Sequence, residues 1–161
     1  MKHLFIVNPV AGRTKPEEKL RLIHEAVART ALGQAGEFEI YVTAAPMDAV
    51  SKIKADARRT GALRVYACGG DGTLNECVNG VAGLENAAVT HFPCGTGNDF
   101  IRMFGEERTR FFDLTELING EVLPLDVIRC NGRYAVNICS MGIDARVGTD
   151  VHKYSRLPLI G

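Results

Sequence analysis

The chain has little that would mark a protein that binds nucleic acid or crosses a membrane. Its 19 basic residues are balanced by 19 acidic ones, so it lacks the basic surface that displaces counterions, and we expect no nucleic-acid partner. No apolar run approaches the length of a membrane span, and Leu4 to Val7 is too short for a signal-peptide core. These absences predict a cytoplasmic protein whose membrane contact is peripheral.

The cysteines also lack a metal-binding pattern. The five cysteines include no Cys-x-x-Cys pair, and no histidine stands at zinc-finger spacing from them. Several lie inside apolar runs, which predicts small buried side chains in a reducing compartment. They are Cys68, Cys77, Cys94, Cys130 and Cys139.

What is present is enough apolar sequence to bury a core, with 46% hydrophobic and 24% charged residues. Short apolar runs that predict strands alternate with amphipathic stretches that predict helices. This alternation predicts an α/β fold with a parallel sheet and flanking helices, whose functional loops lie at the carboxyl ends of the strands. The predicted strands are His3–Val7, Phe38–Val42, Leu63–Cys68 and Ala87–Phe92, and the predicted helices begin at Pro16, Pro46, Leu74 and Phe111.

The pattern changes near Gly120. Two further strands, Val122 to Ile128 and Tyr134 to Cys139, flank an Asn131-Gly132 turn, which is typical of a hairpin. About forty residues follow Gly120, too few for an independent β domain. We therefore predict an α/β domain over residues 1–120 and the beginning of a β-rich second domain over 121–161, incomplete in a truncated chain. Open strand edges in residues 122–140 predict a homo-oligomer.

One motif stands out as a candidate site. Gly69-Gly70-Asp71-Gly72-Thr73 follows a predicted strand and opens a predicted helix, where backbone amides can converge on an anion. Its glycines let a phosphate approach the amides, and Thr73 adds a hydroxyl. Asp71 would be repelled by phosphates unless a cation or a transferable proton lay between them, so it is a candidate for handling magnesium or deprotonating an acceptor. A tight turn capped by Asp71 is the alternative.

Two more loops end predicted strands. Asn8-Pro9-Val10-Ala11-Gly12 follows the first strand and Pro93-Cys94-Gly95-Thr96-Gly97-Asn98-Asp99-Phe100 follows the fourth. In a parallel sheet all three loops would share one crevice. None matches a Walker loop or the dinucleotide fingerprint, so the mode of phosphate binding differs from both. The absence of the dinucleotide fingerprint also disfavours a hydride-transfer enzyme. Asn98 and Asp99 are candidates for positioning a metal or an acceptor, although Asp99 also suits a helix start.

In this order and spacing the three motifs resemble the catalytic domain of the diacylglycerol kinase family, which is related to the sphingosine kinases. The resemblance extends to about Asp144, through Leu125-Asp126 and Asn137-x-x-Ser140-x-Gly142-x-Asp144. It implies an ATP-dependent lipid kinase of phospholipid metabolism that uses Mg²⁺ and passes the γ-phosphate of ATP to a hydroxyl of a lipid such as diacylglycerol. The lipid would be met at a membrane surface.

The resemblance also assigns residues. It makes Asp71 the general base, as in sphingosine-kinase-like relatives, whereas bacterial relatives use a glutamate of the second domain. No such segment is present here, so the identity of the base and turnover by this chain alone stay open. The nucleotide contacts that it implies are Asn8, Pro9, Val10, Ala11, Gly12, Thr43, Gly69, Gly70, Asp71, Gly72, Thr73, Leu74, Asn75 and Thr96.

Two other functions stay open. NAD kinases share the Gly-Gly-Asp-Gly run, and 6-phosphofructokinases share part of it, but the Asn-Pro-x-Ala-Gly and Gly-Thr-Gly-Asn-Asp-Phe motifs argue against both. A nucleotide-binding fragment without catalysis is the second alternative. The metal ligands and the lipid are not defined by the sequence.

Overall fold

A four-stranded parallel sheet forms the centre of the protein, whose computed structural model describes residues 1–140 of the 161. The strand order is β2-β1-β3-β4, and every neighbouring pair is parallel. The order reverses between β1 and β3, which opens a crevice between the carboxyl ends of these strands. The predicted α/β parallel-sheet fold is therefore confirmed. The strands are β1 (Lys2–Val7), β2 (Phe38–Val42), β3 (Leu63–Gly69) and β4 (Ala87–Pro93).

Helices cover both faces of this sheet. One face packs against α1 (Pro16–Ala28), α2 (Ala31–Ala35) and α5 (Leu114–Asn119), and the other against α3 (Asp48–Ala57) and α4 (Asp71–Val81). Side chains alternate between the two cores, as the pleat of a strand requires. All seven residues of β3 are buried, as expected for a central parallel strand. The first core includes Phe5, Val7, Tyr66 and Cys68, and the second includes Leu4, Ile6, Val65 and Ala67.

The first helical region differs from the prediction of one helix from Pro16 to about Ala31. Pro16 does begin α1, but the helix ends at Ala28 because Thr30 is extended and its hydroxyl donates to the Val27 carbonyl at 2.9 Å. The short helix α2 then ends at Gly36 with φ +68°. The buried side of α1 is also shifted by one residue from the side that the apolar residues predict. Lys19 is fully buried, whereas Leu20 is only half-buried.

A 3₁₀ segment between β4 and α5 was not predicted. It spans Asp99–Phe112, with a break at Gly105, and packs Phe100 and Ile101 onto the sheet. The next helix begins at Leu114 instead of the predicted Phe111 because the Asp113 carboxylate caps it, accepting hydrogen bonds from two backbone amides. The 3₁₀ segment therefore connects the loop that follows β4 to α5.

The predicted hairpin at Asn131-Gly132 is confirmed, with β5 (Ile128–Cys130) pairing antiparallel to β6 (Arg133–Ala135). Both turn residues have positive φ, as a tight hairpin turn demands. The strands are shorter than predicted, since residues 122–127 form no strand and are exposed. Asn75 and Asn79 of α4 bind the backbone of Tyr134, which attaches the hairpin to the α/β unit. Domain division and self-association stay predictions.

The cysteines follow the prediction in part. Cys68 and Cys77 are buried, Cys94 and Cys130 are half-buried, and Cys139 is exposed, so the prediction of a buried side chain is wrong for Cys139. All five are free thiols. Among residues 1–140, no helix combines the length and the apolar character that a bilayer crossing requires.

Candidate functional site

The three loops singled out by the sequence meet at the carboxyl edge of the sheet. We name them the Asn8 loop (residues 8–15), the Gly69 turn (69–73) and the Gly95 loop (94–98). The side-chain amide of Asn8 donates to the Thr73 hydroxyl at 3.1 Å, and the backbone amide of Cys94 donates to the Gly69 carbonyl at 2.9 Å. The predicted convergence of the loops is therefore confirmed.

Glycine is required where these loops touch, because backbone lies directly against backbone. A Cβ on Gly12, whose φ is +66°, would overlap the Cys94 carbonyl, and one on Gly95 would overlap the Cα of Gly70. Gly69 is closed in differently, by the Thr73 side chain of its own turn. A Cβ on Gly72, in contrast, meets nothing within 4 Å among residues 1–140. Packing within these residues therefore does not require a glycine at position 72.

The Gly69 turn carries free hydrogen-bond donors. The Leu74 amide is the first in α4 to find a helical acceptor, the Gly70 carbonyl at 3.0 Å, and the backbone amides of residues 71–73 donate to no acceptor within residues 1–140. The Thr73 hydroxyl accepts from Asn8 and keeps its own proton to donate. Leu74 itself lies in the core, and the Asn75 side-chain amide donates to the Tyr134 carbonyl at 3.0 Å. The donors that an anion could use thus lie in residues 71–73.

The Asp71 side chain extends from the Gly69 turn toward the Gly95 loop. One carboxylate oxygen accepts from the Phe100 amide at 3.4 Å, and the other would be 3.0 Å from a Cβ placed on Gly97. The carboxylate is half-buried, beside the free amides and next to a glycine, so a ligand can reach it. Across residues 1–140, no group of three or more histidine, cysteine or acidic side chains forms a metal site.

The other acidic and amide candidates take different places. Asn98 braces its own loop, accepting from the Gly95 amide and donating to the Gly95 carbonyl at 2.8 Å. Asp99 is exposed and pairs with Arg102 at 3.0 Å, and one of its carboxylate oxygens would be 3.9 Å from a Cβ placed on Gly97, the position that the Asp71 carboxylate also approaches. Asp126 lies on the exposed stretch before β5, and Asp144 lies outside the described residues. The structure therefore gives Asn98 a structural role and places the Asp71 and Asp99 carboxylates beside Gly97.

The remaining predicted contacts lie around the rim of the crevice. Thr43 follows β2, and its amide donates to the Val7 carbonyl at 3.0 Å, next to the start of the Asn8 loop. Thr96 is exposed in the Gly95 loop. Val10 is 86% exposed, and its amide donates to the Asn8 side chain. Pro9 and Ala11 complete this turn. The nucleotide contacts implied by the resemblance, other than Leu74 and Asn75, therefore lie around the carboxyl edge of the sheet.

Lys19 is a buried residue at this site that the sequence interpretation missed. Its ammonium donates to the Ala11 carbonyl at 2.6 Å and to the Asn8 carbonyl at 2.9 Å. The signal was available, because Lys19 precedes Ile23 by four residues and Val27 by eight, on the buried side of the helix. Periodicity counted from Leu20 through Ile23 and Val27 predicts an apolar face that leaves Lys19 just outside it.

His91 is the second missed residue. It lies on β4 opposite Ala67, is 2% exposed, and its Nε2 is 3.2 Å from the Gly69 carbonyl. Since a carbonyl only accepts, Nε2 carries the proton, and Nδ1 is buried without a hydrogen-bond partner among residues 1–140. Burial lowers the pKa of His91, and the Gly69 carbonyl and Asp71 only partly oppose this. His91 thus holds the end of β3 in place as a neutral imidazole.

This environment predicts how stability depends on pH. Because the pKa of folded His91 lies below its ordinary value of 6.5, the unfolded chain takes up the proton first, so the stabilisation is present above that value and is lost as the pH falls. We expect the loss of unfolding free energy between pH 7 and pH 5 to be smaller in His91→Gln than in the wild type, in urea titrations. Some loss will persist, since burial also lowers the pKa of His3.

The control for this experiment is His24→Gln, which removes an exposed histidine from α1. Its pH profile should follow that of the wild type. An unchanged slope in His91→Gln would show that His91 is not buried in the neutral form.

Comparison with known proteins places these motifs in a family context. The family model described as the diacylglycerol kinase catalytic domain matches residues 2–130. The diacylglycerol kinase of Bacillus subtilis (strain 168) is 37% identical over 141 residues, which cover 86% of this chain and 45% of that protein. The diacylglycerol kinase of Staphylococcus carnosus (strain TM300) is 31% identical over 140 residues, 86% of this chain and 44% of that protein.

Solved structures agree with this match. A crystal structure of a diacylglycerol kinase from Bacillus anthracis str. Sterne superposes with a TM-score of 0.69 at 29% identity, covering 93% of this chain and 52% of that one. The chain therefore spans about half the length of the relatives it matches.

Proposed function

The chain belongs to the diacylglycerol kinase catalytic domain family, and from that premise we propose that it is the nucleotide-binding part of an ATP-dependent lipid kinase. In this proposal the chain binds ATP, and the γ-phosphate passes to a hydroxyl of a lipid such as diacylglycerol. The observation that carries the proposal is the meeting of three glycine-bearing loops around one set of free backbone amides. Amides at a helix start and a nearby loop are a common means of binding phosphates.

The nucleotide phosphates would lie between the Asn8 loop and the Gly69 turn. The free amides of residues 71–73 and the Thr73 hydroxyl provide donors there, and the open space at Gly72 lets phosphate oxygens approach closely. Thr43 and Thr96 stand on opposite sides of this position and are proposed to contact the nucleotide. The hydrogen bond between Asn8 and Thr73 fixes the distance between the two phosphate-binding segments.

Asp71 is the residue suited to magnesium and to proton transfer. Mg²⁺ is usually bound by one or two carboxylates together with phosphate oxygens and waters, which fits a single half-buried carboxylate beside free amides. When bound, the ion would neutralise charge on the transferred phosphoryl group. In the reaction the acceptor oxygen bonds to the γ-phosphorus, the bond to the β–γ bridging oxygen breaks, and ADP leaves. The hydroxyl proton passes to a carboxylate, for which Asp71 is the candidate in this chain.

Contact with a membrane surface is part of the same proposal. Three large apolar side chains of the 3₁₀ segment are exposed just after the Gly95 loop. A lipid acceptor has to be reached at a bilayer surface, and apolar side chains beside the crevice would assist peripheral binding. They are Met103, Phe104 and Phe112.

A nucleotide-binding module without catalysis is the second candidate function. It is favoured by one observation, that the chain spans only about half the length of its relatives, so residues of the acceptor site can lie outside it. An NAD kinase has no support in the comparisons, where the relatives named are diacylglycerol kinases and other lipid kinases.

Calorimetric titration with Mg-ATP tests the proposed site. We expect saturable binding in the wild type and its loss in Gly72→Val, because the new side chain projects into the space proposed for phosphate. Gly61→Val is a matched control, since its Cβ also meets nothing within 4 Å but lies just before β3 at the amino edge. Binding of NAD in place of ATP, or unchanged ATP binding in Gly72→Val, would contradict the proposal.

The role of Asp71 is tested by its removal. Asp71→Ala should fold normally and weaken Mg²⁺-dependent ATP binding by about tenfold or more, as expected for loss of a charged contact. Glu25→Ala removes a carboxylate of α1 that pairs with Arg21 and should bind as the wild type does. The affinities are compared with and without Mg²⁺. If Asp71→Ala keeps the wild-type dependence on Mg²⁺, Asp71 does not handle the metal.

A further inference from the structure

Lys19 carries a positive charge for which the protein provides no counter-ion among residues 1–140. Its side chain is fully buried, and its ammonium contacts two backbone carbonyls, those of Asn8 and Ala11. No carboxylate of these residues lies within the 4.0 Å of an ion pair. The amino edge of the sheet shows the usual arrangement, where buried Asp56 is paired with both Lys2 and Lys52.

This placement is costly for an isolated protein. Burial of an unpaired charge is unfavourable, and Lys19 lies in the first turn of α1, where the helix dipole also opposes a positive charge. Even buried ion pairs can often be replaced by apolar side chains of similar size with no loss of stability. Folding alone therefore does not account for this unpaired charge, and a ligand of opposite charge would offset its cost.

The hydrogen bonds of Lys19 also orient the Asn8 loop. A trans peptide points its C=O and N–H in opposite directions, so the bond from Lys19 to the Ala11 carbonyl directs the Gly12 amide away from the lysine. Gly12 is exposed at the crevice, and its amide donates to no acceptor within residues 1–140. The Asn8 carbonyl precedes Pro9, which has no N–H. Lys19 thus presents one free donor, that of Gly12, and adds a positive charge behind it.

We propose that Lys19 is a positioning residue whose counter-ion is the phosphate chain of the bound ligand. It aims the Gly12 amide at a phosphate and makes the crevice select ligands with several negative charges. This inference rests on the proposed phosphate site and adds to it a residue that determines selectivity. It does not depend on the base that is attached to the phosphates.

Neutral variants test the charge separately from the hydrogen bonds. Lys19→Met has similar length and no charge, Lys19→Gln keeps amide donors without the charge, and Lys54→Met removes an exposed lysine from α3 as the control. The probes are inorganic tripolyphosphate, Mg-ATP and AMP, titrated by calorimetry, with thermal melting to verify folding. Both Lys19 variants should bind tripolyphosphate at least about tenfold more weakly than the wild type. Their loss of affinity should be smaller for AMP than for Mg-ATP. Lys54→Met should bind as the wild type does.

The outcomes separate this inference from the proposed function. Wild-type affinity for tripolyphosphate in Lys19→Met or Lys19→Gln would overturn the inference, whichever nucleotide is bound. If Lys19→Met folds poorly and Lys19→Gln folds normally, the affinity of Lys19→Gln for tripolyphosphate decides whether the inference holds. A wild-type chain that binds tripolyphosphate but not ATP would refute the proposed function and leave the inference standing, and one that binds neither would overturn both.

Discussion

Direct contact between backbones at the carboxyl edge of the sheet is the constraint on which the rest of the site depends. Gly70 lies against Gly95, and Gly12 lies against the Cys94 carbonyl, at distances that admit no side chain between the loops. Since side chains are excluded from these contacts, the groups left to face a ligand are mainly amides. The polar side chains nearby, Asn8 and Asn98, instead link or brace the loops. The junction of the loops is therefore closely packed and rich in backbone donors.

The sheet and its two cores hold this arrangement in place. β1 and β3 are buried from both faces, so the ends from which the Asn8 loop and the Gly69 turn depart are fixed by packing. The reversal of strand order between the same two strands opens the crevice there. Two polar side chains reach the loops from within the cores, Lys19 from α1 and His91 from β4. Core and site are thus connected through buried polar groups.

The sequence predicted the features that depend on short-range pattern. Hydrophobic periodicity located the four parallel strands, and the glycine motifs located the loops, because glycines that follow a strand mark a turn. Features that depend on tertiary partners were missed: the 3₁₀ segment has no helical periodicity across Gly105, and the stretch before Ile128 has strand-like residues but no partner strand within residues 1–140. Lys19 was missed because periodicity counted from Leu20 leaves it just outside the apolar face. His91 was missed because a buried polar residue of a strand is recognised only once its partner is known.

A titration with tripolyphosphate, followed through the amide chemical shifts, shows whether the three loops form one anion site. We expect the amides of Gly12, of residues 71–73 and of the Gly95 loop to shift together along one saturation curve, while those of β2 and the hairpin do not. Shifts confined to a single loop, or centred on the amino edge of the sheet, would show that the loops do not form one site.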